Sequence, residues 1–381
     1  MKESRQEHGI MENDILQKII ELRHELHRHP ELSHEEKGTI RTLQRFLREN
    51  TSFELTDRDG WFYALVPGTQ GGDAIAFRAD MDALPIPEGI ALPYASVNEG
   101  VSHKCGHDGH SAALCGLAME LERRPPARTV YLIFQPAEEV GGGGETCARL
   151  LREKKIREVY AFHNFSGYPE GSVVFRRGLT QPASEGLTVR LHGRCTHASA
   201  PEKGINPAVA VAQLALFSET LARQYDGGMA LCTLVGMNAG TGDFGIAAGD
   251  GSLCVTLRAE EESVMKDMER QLLERAQSLA DAQGLQPEHS VCDYFPETRN
   301  HDEALDRVLA CARALGLETY EMQELWRASE DFGYYLRECS GAMFYLGNGT
   351  DYPALHTVPY DFNDAILPRA VDLFAALAHR Q

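Results

Sequence analysis

AIAFR (74–78) is a short, mostly apolar run that closes on two carboxylates, Asp80 and Asp82. TVYLIFQ (129–135) closes on Glu138 and Glu139 in the same way, and EVYAFH (158–163) ends on His163. Near-continuous apolar runs of this length, parted by helical stretches, predict strands buried on both faces of a parallel sheet. In open α/β sheets the chemistry gathers beyond the carboxyl ends of the strands. Three strands that end in ionisable side chains therefore predict one shared crevice.

The densest group of metal-capable side chains lies between the first two of these strands. HKCGHDGHSA (103–112) carries His103, Cys105, His107, Asp108 and His110. Cys105 and His107, two apart, cannot share a helix face, so the spacing predicts a loop, followed by a helix over 112–121 with Ser111 or Asp108 near its N-terminus. His103, Asp108 and His110 are expected to orient or cap. The Cys105 thiolate, beside a helix N-terminus, is expected to stay ionised.

Upstream, helices are predicted over 14–28, ended by His29-Pro30, and over 36–49. His24, His27, His29 and His34 follow no ligand spacing and are expected to be solvated or capping. From about residue 184 the pattern changes. GLTVRLHGR (186–194) alternates, a helical run covers 206–223, and the strands ALCTLVGMNA (230–239) and GSLCVTLRAE (251–260) follow. A helix over 263–283 and a last strand near HSVCDYF (289–295) complete the order βαββαβ, that of a ferredoxin-like unit. The chain then resumes with a helix over 303–315, the strand GAMFYLG (341–347) and a loop rich in Pro, Asp and Asn that holds His356. The expectation is an α/β catalytic domain in two parts, 1–182 and 295–381, with a mostly parallel central sheet, interrupted by an α+β domain over 183–294.

With 381 residues the chain is long enough for two ordinary domains. Its 56 acidic and 37 basic residues give a net charge of −19, which argues against nucleic acid or an anionic membrane as partner and obliges an anionic substrate to find a local positive group. Nine cysteines, scattered singly without a CxxC pair, do not make a disulfide framework, so a reducing cytoplasm is expected. The leading MKESRQEHGIMEND lacks the apolar core of a secretory signal, and no apolar run approaches the roughly 20 residues that cross a bilayer.

Cys105, His107, Glu139, His163 and His356 form a candidate ligand set of thiolate, imidazole and carboxylate. Zinc accepts all three donors, and manganese, cobalt or nickel suit a partly carboxylate set, with one or two ions per subunit. If Glu138 and Glu139 lie in an extended segment they point opposite ways, one to the metal and one to a metal-bound water. Such a water loses its proton readily, and a nearby carboxylate can take that proton and pass it to a leaving nitrogen. The pair predicts hydrolysis.

RADMDALP, HKCGHDGH, QPAEE, AFHN, GRCTHASAPEKGINP, SEDFG and LHTVPYDFND together resemble the successive motifs of the amidohydrolase branch of the zinc-dependent aminoacylase and carboxypeptidase superfamily, which includes hippurate hydrolase and N-acetyldiaminopimelate deacetylase. The resemblance implies a metallopeptidase-like catalytic domain with a lid and dimerisation domain, a homodimer, and an N-acyl amino acid as substrate. It makes Cys105, His107, Glu139, His163 and His356 the metal ligands, Glu138 the base and Asp82 a support behind the ligands. His197 falls on the lid histidine that reaches the partner subunit's site, and Arg258 on the lid arginine that meets a substrate carboxylate. Gly204, Asn206 and Pro207 shape the turn into the lid helix, and Glu330 and Asp331 line the pocket. One departure stands out. Where relatives carry Asn-Val-Ile-Pro, this chain reads GTGDFGIAAGDG (240–251), with Gly245 in place of the asparagine.

The leading reading is metal-dependent hydrolysis of the amide bond of an N-acyl amino acid. A dipeptidase or aminopeptidase of the same fold is the nearest rival, and a non-catalytic metal- or ligand-binding protein the rival from another class. Gly141 to Gly144 do not form a dinucleotide fingerprint, and a Cys105 nucleophile would leave Glu139, His163 and His356 without a task.

Overall fold

The computed structural model describes residues 13–380. Residues 1–12, most of the stretch read above as lacking a secretory core, lie outside them. Among the described residues no helix is long and apolar enough to cross a membrane. The chain divides into two compact units: one runs to Thr180 and takes up again at Thr298–Leu325 and from Glu330 onward, the other is Gln181–Glu297 with Trp326–Ser329.

The first unit is built on an eight-stranded mixed sheet. At its centre Ala74–Asp80 lies parallel to both Val130–Gln135 and Ile156–Ser166, and Ile156–Ser166 lies parallel to Ser340–Gly349. Every residue of Val130–Gln135 is buried, as is Ala74–Asp80 after its first residue, which is why these strands read as continuous apolar runs. Register then sets the site. Asp80 pairs with Gln135, and Arg78 with Ala161, so His163 stands level with Asp80 and the Glu138 turn leaves the same sheet edge. Beneath that edge Phe77 meets Phe374 at 4.8 Å between ring centroids and Phe162 meets Phe374 at 5.6 Å. Burying each of these rings contributes roughly 1.5–3 kcal/mol, which makes the strand ends a firm platform.

The helix His107–Arg123 packs against Asn13–Arg28 and Leu367–His379. Gly116 permits the approach: a Cβ there would stand 2.8 Å from Val371 and 3.1 Å from Ile19. This helix begins five residues before the predicted start. Gly106, at φ 101°, turns the backbone directly into it, so His107 is its first residue and not part of a loop.

In the second unit the strands Ala183–His192, Ala230–Ala239, Asp250–Ala259 and Gln286–Phe295 form one antiparallel sheet, and the helices Ala208–Leu221 and Glu262–Gln283 pack on it. Its spatial order places the second strand at one edge, then the third, the first and the fourth, which is the ferredoxin-like order. Leu187, Val189, Leu191, Leu253, Val255 and Leu257 alternate along the central strands into a separate core with Met265, Met268 and Leu272.

Candidate metal centre and active site

At the carboxyl ends of the central strands the ligand-capable atoms converge. Cys105 Sγ lies 3.4 Å from His163 Nε2 and 3.3 Å from His356 Nε2. His356 Nε2 is 3.5 Å from Glu139 Oε1, and His107 Nε2 is 3.7 Å from Glu139 Oε1 and 3.9 Å from Glu138 Oε2. Cys105 with His107 and His163 forms one group whose donor atoms all lie within 4.8 Å, and Cys105 with Glu139 and His356 forms another. The two groups share the thiol.

The imidazoles are oriented by their far nitrogens. His107 Nδ1 donates to the Asp82 carbonyl at 3.0 Å and lies 3.2 Å from its carboxylate, while His163 Nδ1 donates to the Asn164 carbonyl at 2.8 Å. In the neutral ring each therefore presents Nε2 as a lone pair to the centre. His107 Nε2 and Glu139 Oε1 are buried without a hydrogen-bond partner. Orphaned buried donors and acceptors are rare unless something outside the protein satisfies them, and this mixed donor set fits a divalent cation.

Glu138 and Glu139 do not lie in an extended segment. They form a one-turn 3-10 helix, Glu138–Val140, entered through Ala137 at φ 52°, so both carboxylates face His107. The left-handed Ala137 is held by its N–H, which donates to Glu36 Oε1 at 2.7 Å. Asp82 receives the Glu139 N–H at 3.0 Å and the Ser33 hydroxyl at 2.7 Å, so one carboxylate fixes both His107 and the turn.

Charge at this centre is unbalanced. Burial, with Glu330, Asp331 and Glu139 close by, pushes the Glu138 carboxyl well above its usual range. Burial and the nearby Glu139, Glu138 and Asp80 push the Cys105 thiol up as well, against the help that the neighbouring helix N-terminus gives the thiolate. Burial opposes a proton on His107, yet Asp80, Asp82 and Glu139 raise its pKa to about 10. These carboxylates demand a positive charge at His107 Nε2.

Behind the centre lie Asn164, Tyr360 and Arg78, which the sequence did not single out, joined to residues that it did. Asp80 accepts from His110 Nδ1 at 2.6 Å, His110 Nε2 meets Asn164 Oδ1 at 2.6 Å, and Asn164 Nδ2 donates to the Tyr360 hydroxyl at 2.6 Å. Arg78, fully buried, binds Asp80, Glu330 and Asp331 at 2.7, 3.1 and 2.8 Å. Glu330 and Asp331 therefore answer an arginine while their carboxylates also stand within 4.8 Å of that of Glu138. A cation inside an otherwise apolar strand was the available signal.

His27 is a further correction: it is completely buried, between Asp108 Oδ2 and Glu88 Oε2, each at 2.9 Å. Burial lowers its pKa, but the bonds to Asp108 and Glu88 outweigh that and hold it at about 9. An unfolded histidine titrates near 6.5, so the stabilisation is complete below about pH 6.5 and is lost as the pH rises through 9. A shift of this size corresponds to ~3 kcal/mol. Melting temperatures of the metal-free protein should fall from pH 6.5 to 9.5, and fall less in His27→Gln; equal slopes would remove His27 as the cause.

His197 and Arg258 belong to the second unit. His197 sits on a two-residue strand paired with Ile246–Ala247, and its Nδ1 accepts the Ser199 N–H at 3.1 Å and meets the Ser199 hydroxyl at 2.7 Å. A backbone N–H can only donate, so the neutral ring carries its proton on Nε2, which is left as a donor. Arg258, partly buried, gives one N–H to the Arg327 carbonyl and has no carboxylate at ion-pair distance among the described residues. Gly245 lies in the turn beside His197, where its carbonyl accepts from Ala198 N–H at 3.0 Å.

The sequence profile of the peptidase family M20/M25/M40 matches residues 76–380. The chain belongs to this family. Among its relatives in the family, hippurate hydrolase of Campylobacter jejuni is 31% identical over 96% of this chain and 97% of its own. N-acetylcysteine deacetylase of Bacillus subtilis is 29% identical over 95% and 96%. The crystal structure of the Bacillus subtilis YXEP protein, a dinuclear metal binding peptidase from the M20 family, superposes with a TM-score of 0.79 at 27% identity, covering 96% of this chain and 98% of that one.

Proposed function

We propose that this M20 protein hydrolyses the amide bond of N-acyl amino acids with divalent metal held by Cys105, His107, Glu139, His163 and His356. The observation that carries the reading is the pair of donor groups that overlap at Cys105, with His107 Nε2 and Glu139 Oε1 buried and unbonded at their centre. Two groups sharing one thiol suit two adjacent ions. A divalent metal held by these residues, zinc, manganese, cobalt or nickel, would supply polarisation of the acyl oxygen and a water acidic enough to attack.

The protein's own groups do the rest. Glu138, buried and with its proton affinity raised, takes the proton of the attacking water and delivers it to the leaving nitrogen. Asp82 keeps His107 and the Glu138–Val140 turn in register. The Nε2–H of His197 supplies a donor for the developing oxyanion, and the Arg258 guanidinium, with no carboxylate partner among the described residues, supplies the positive group that a substrate carboxylate needs in a chain of net charge −19. Metal analysis followed by a panel of N-acyl amino acids and free dipeptides tests this. Turnover of the acylated substrates that a chelator abolishes and metal restores is expected, and hydrolysis that survives chelation would overturn it.

A second copy is the natural cover for one face of the second unit. Leu234, Val235 and Met237 are exposed on the edge strand Ala230–Ala239, and Val209 and Leu216 on the helix Ala208–Leu221. An unpaired apolar edge of this kind is rarely left open to water. If His197 serves the partner's site, mixing inactive His197→Ala and Glu138→Gln subunits should restore about a quarter of wild-type activity, since half of the dimers become mixed and each holds one intact site. No recovery after subunit exchange would place His197 in its own subunit's site or in none. A cytoplasmic setting agrees with the free cysteines.

A further inference from the structure

His356 differs from the other donors in how it is held. Cys105 and His107 lead into a helix, His163 lies within a strand and Glu139 within a 3-10 turn, whereas His356 stands on a loop at φ 60° with its side chain 51% exposed. A left-handed, half-exposed residue keeps its place only when its surroundings over-determine it.

Lys104 supplies two of those restraints. The Lys104 carbonyl accepts the His356 N–H at 2.8 Å, and Lys104 Nζ donates to the Tyr360 carbonyl at 2.8 Å, so Lys104 grips the loop at both ends of 356–360. The same Nζ donates to Glu88 Oε1 at 2.6 Å, and Glu88 is fixed from its other oxygen by His27 Nε2 at 2.9 Å. The Lys104 side chain is wholly buried and Glu88 is 11% exposed. Burying an ammonium group is costly, and a buried pair is weak evidence of added stability, so an apolar side chain would serve packing as well. What an apolar side chain could not do is hold the Tyr360 carbonyl.

We propose that Lys104 is a positioning residue for the metal site, one that holds His356 Nε2 3.3 Å from Cys105 Sγ by clamping the loop from Glu88 and Tyr360. The proposal rests on the reading of His356 as a metal ligand. Lys104 touches neither metal nor substrate and acts through His356 alone.

The test is a thermodynamic cycle read by cobalt(II) binding and by the visible spectrum of the cobalt protein, both independent of turnover. Lys104→Met with Glu88→Gln removes the clamp without stranding a buried charge. Second-layer losses of this kind weaken metal binding by roughly 10–100-fold. That weakening is expected in the wild-type background with a changed cobalt spectrum, and little further weakening is expected when His356→Ala is already present. The same factor in both backgrounds, or no weakening at all, overturns the proposal. If His356→Ala by itself leaves cobalt binding intact, the ligand reading falls first and the proposal with it. Should the paired variant not fold, Lys104→Met alone, which leaves Glu88 bound to His27, is carried through the same cycle and judged by the same non-additivity.

Discussion

Glu138→Gln should lower kcat by about a thousand-fold while the purified protein keeps its metal content. The substitution preserves shape, and the donor atoms of Cys105, His107, Glu139, His163 and His356 are untouched by it. It removes a basic oxygen from a site where burial and the carboxylates of Glu330, Asp331 and Glu139 make a proton welcome. Positioned acid–base groups contribute typically about 10²–10⁴-fold, and here one group serves both the attack and the departure of the nitrogen. KM should change little, because an amide can still accept hydrogen bonds from a bound substrate. Activity within tenfold of wild type at equal metal content would mean that another group moves the proton.

The second large effect is on stability. Arg78→Met should cost about 3–5 kcal/mol in urea unfolding, because it removes the guanidinium that Asp80, Glu330 and Asp331 share deep under the site. Burial already raises Glu330 to about 7 and Asp331 to about 6, with Arg78 pulling both down. A carboxyl whose folded pKa lies above its unfolded value destabilises the fold once the pH exceeds that unfolded value, and relief comes as the pH falls through the folded one. The deficit of Arg78→Met should therefore shrink between pH 7.5 and 5.5. A deficit below 1 kcal/mol, or one that grows on acidification, would show that the arginine is not what balances these charges.

The sheet was legible because its central strands are buried on both faces and their ends are charged; Ala74–Asp80, Val130–Gln135 and Ile156–Ser166 need no partner to be recognised. The ferredoxin-like unit was legible for the opposite reason, since strands such as Ala183–His192 alternate between core and surface. The errors have local and tertiary causes. Gly106 and Ala137 adopt left-handed backbone; the first turns a presumed loop, the second a presumed extended segment, into the start of a helical turn. His27 looked solvated because its partner Asp108 lies 81 residues away. Arg78 was rightly read within a strand run, but its pairing was hidden because Asp331, and Glu330 beside it, lie some 253 residues away in sequence.

The second unit separates the parts of the first in time as well as in sequence. Cys105 waits for His356, 251 residues later, and the strand Ile156–Ser166 lacks its neighbour Ser340–Gly349 until the whole of Gln181–Glu297 has been made. That inserted unit has its own core and its own complete sheet. On a ribosome, where chains fold from the N-terminus as they emerge, it can finish while the domain around it is still open. Assembly of the hydrolytic centre is thus among the last events in the life of the nascent chain.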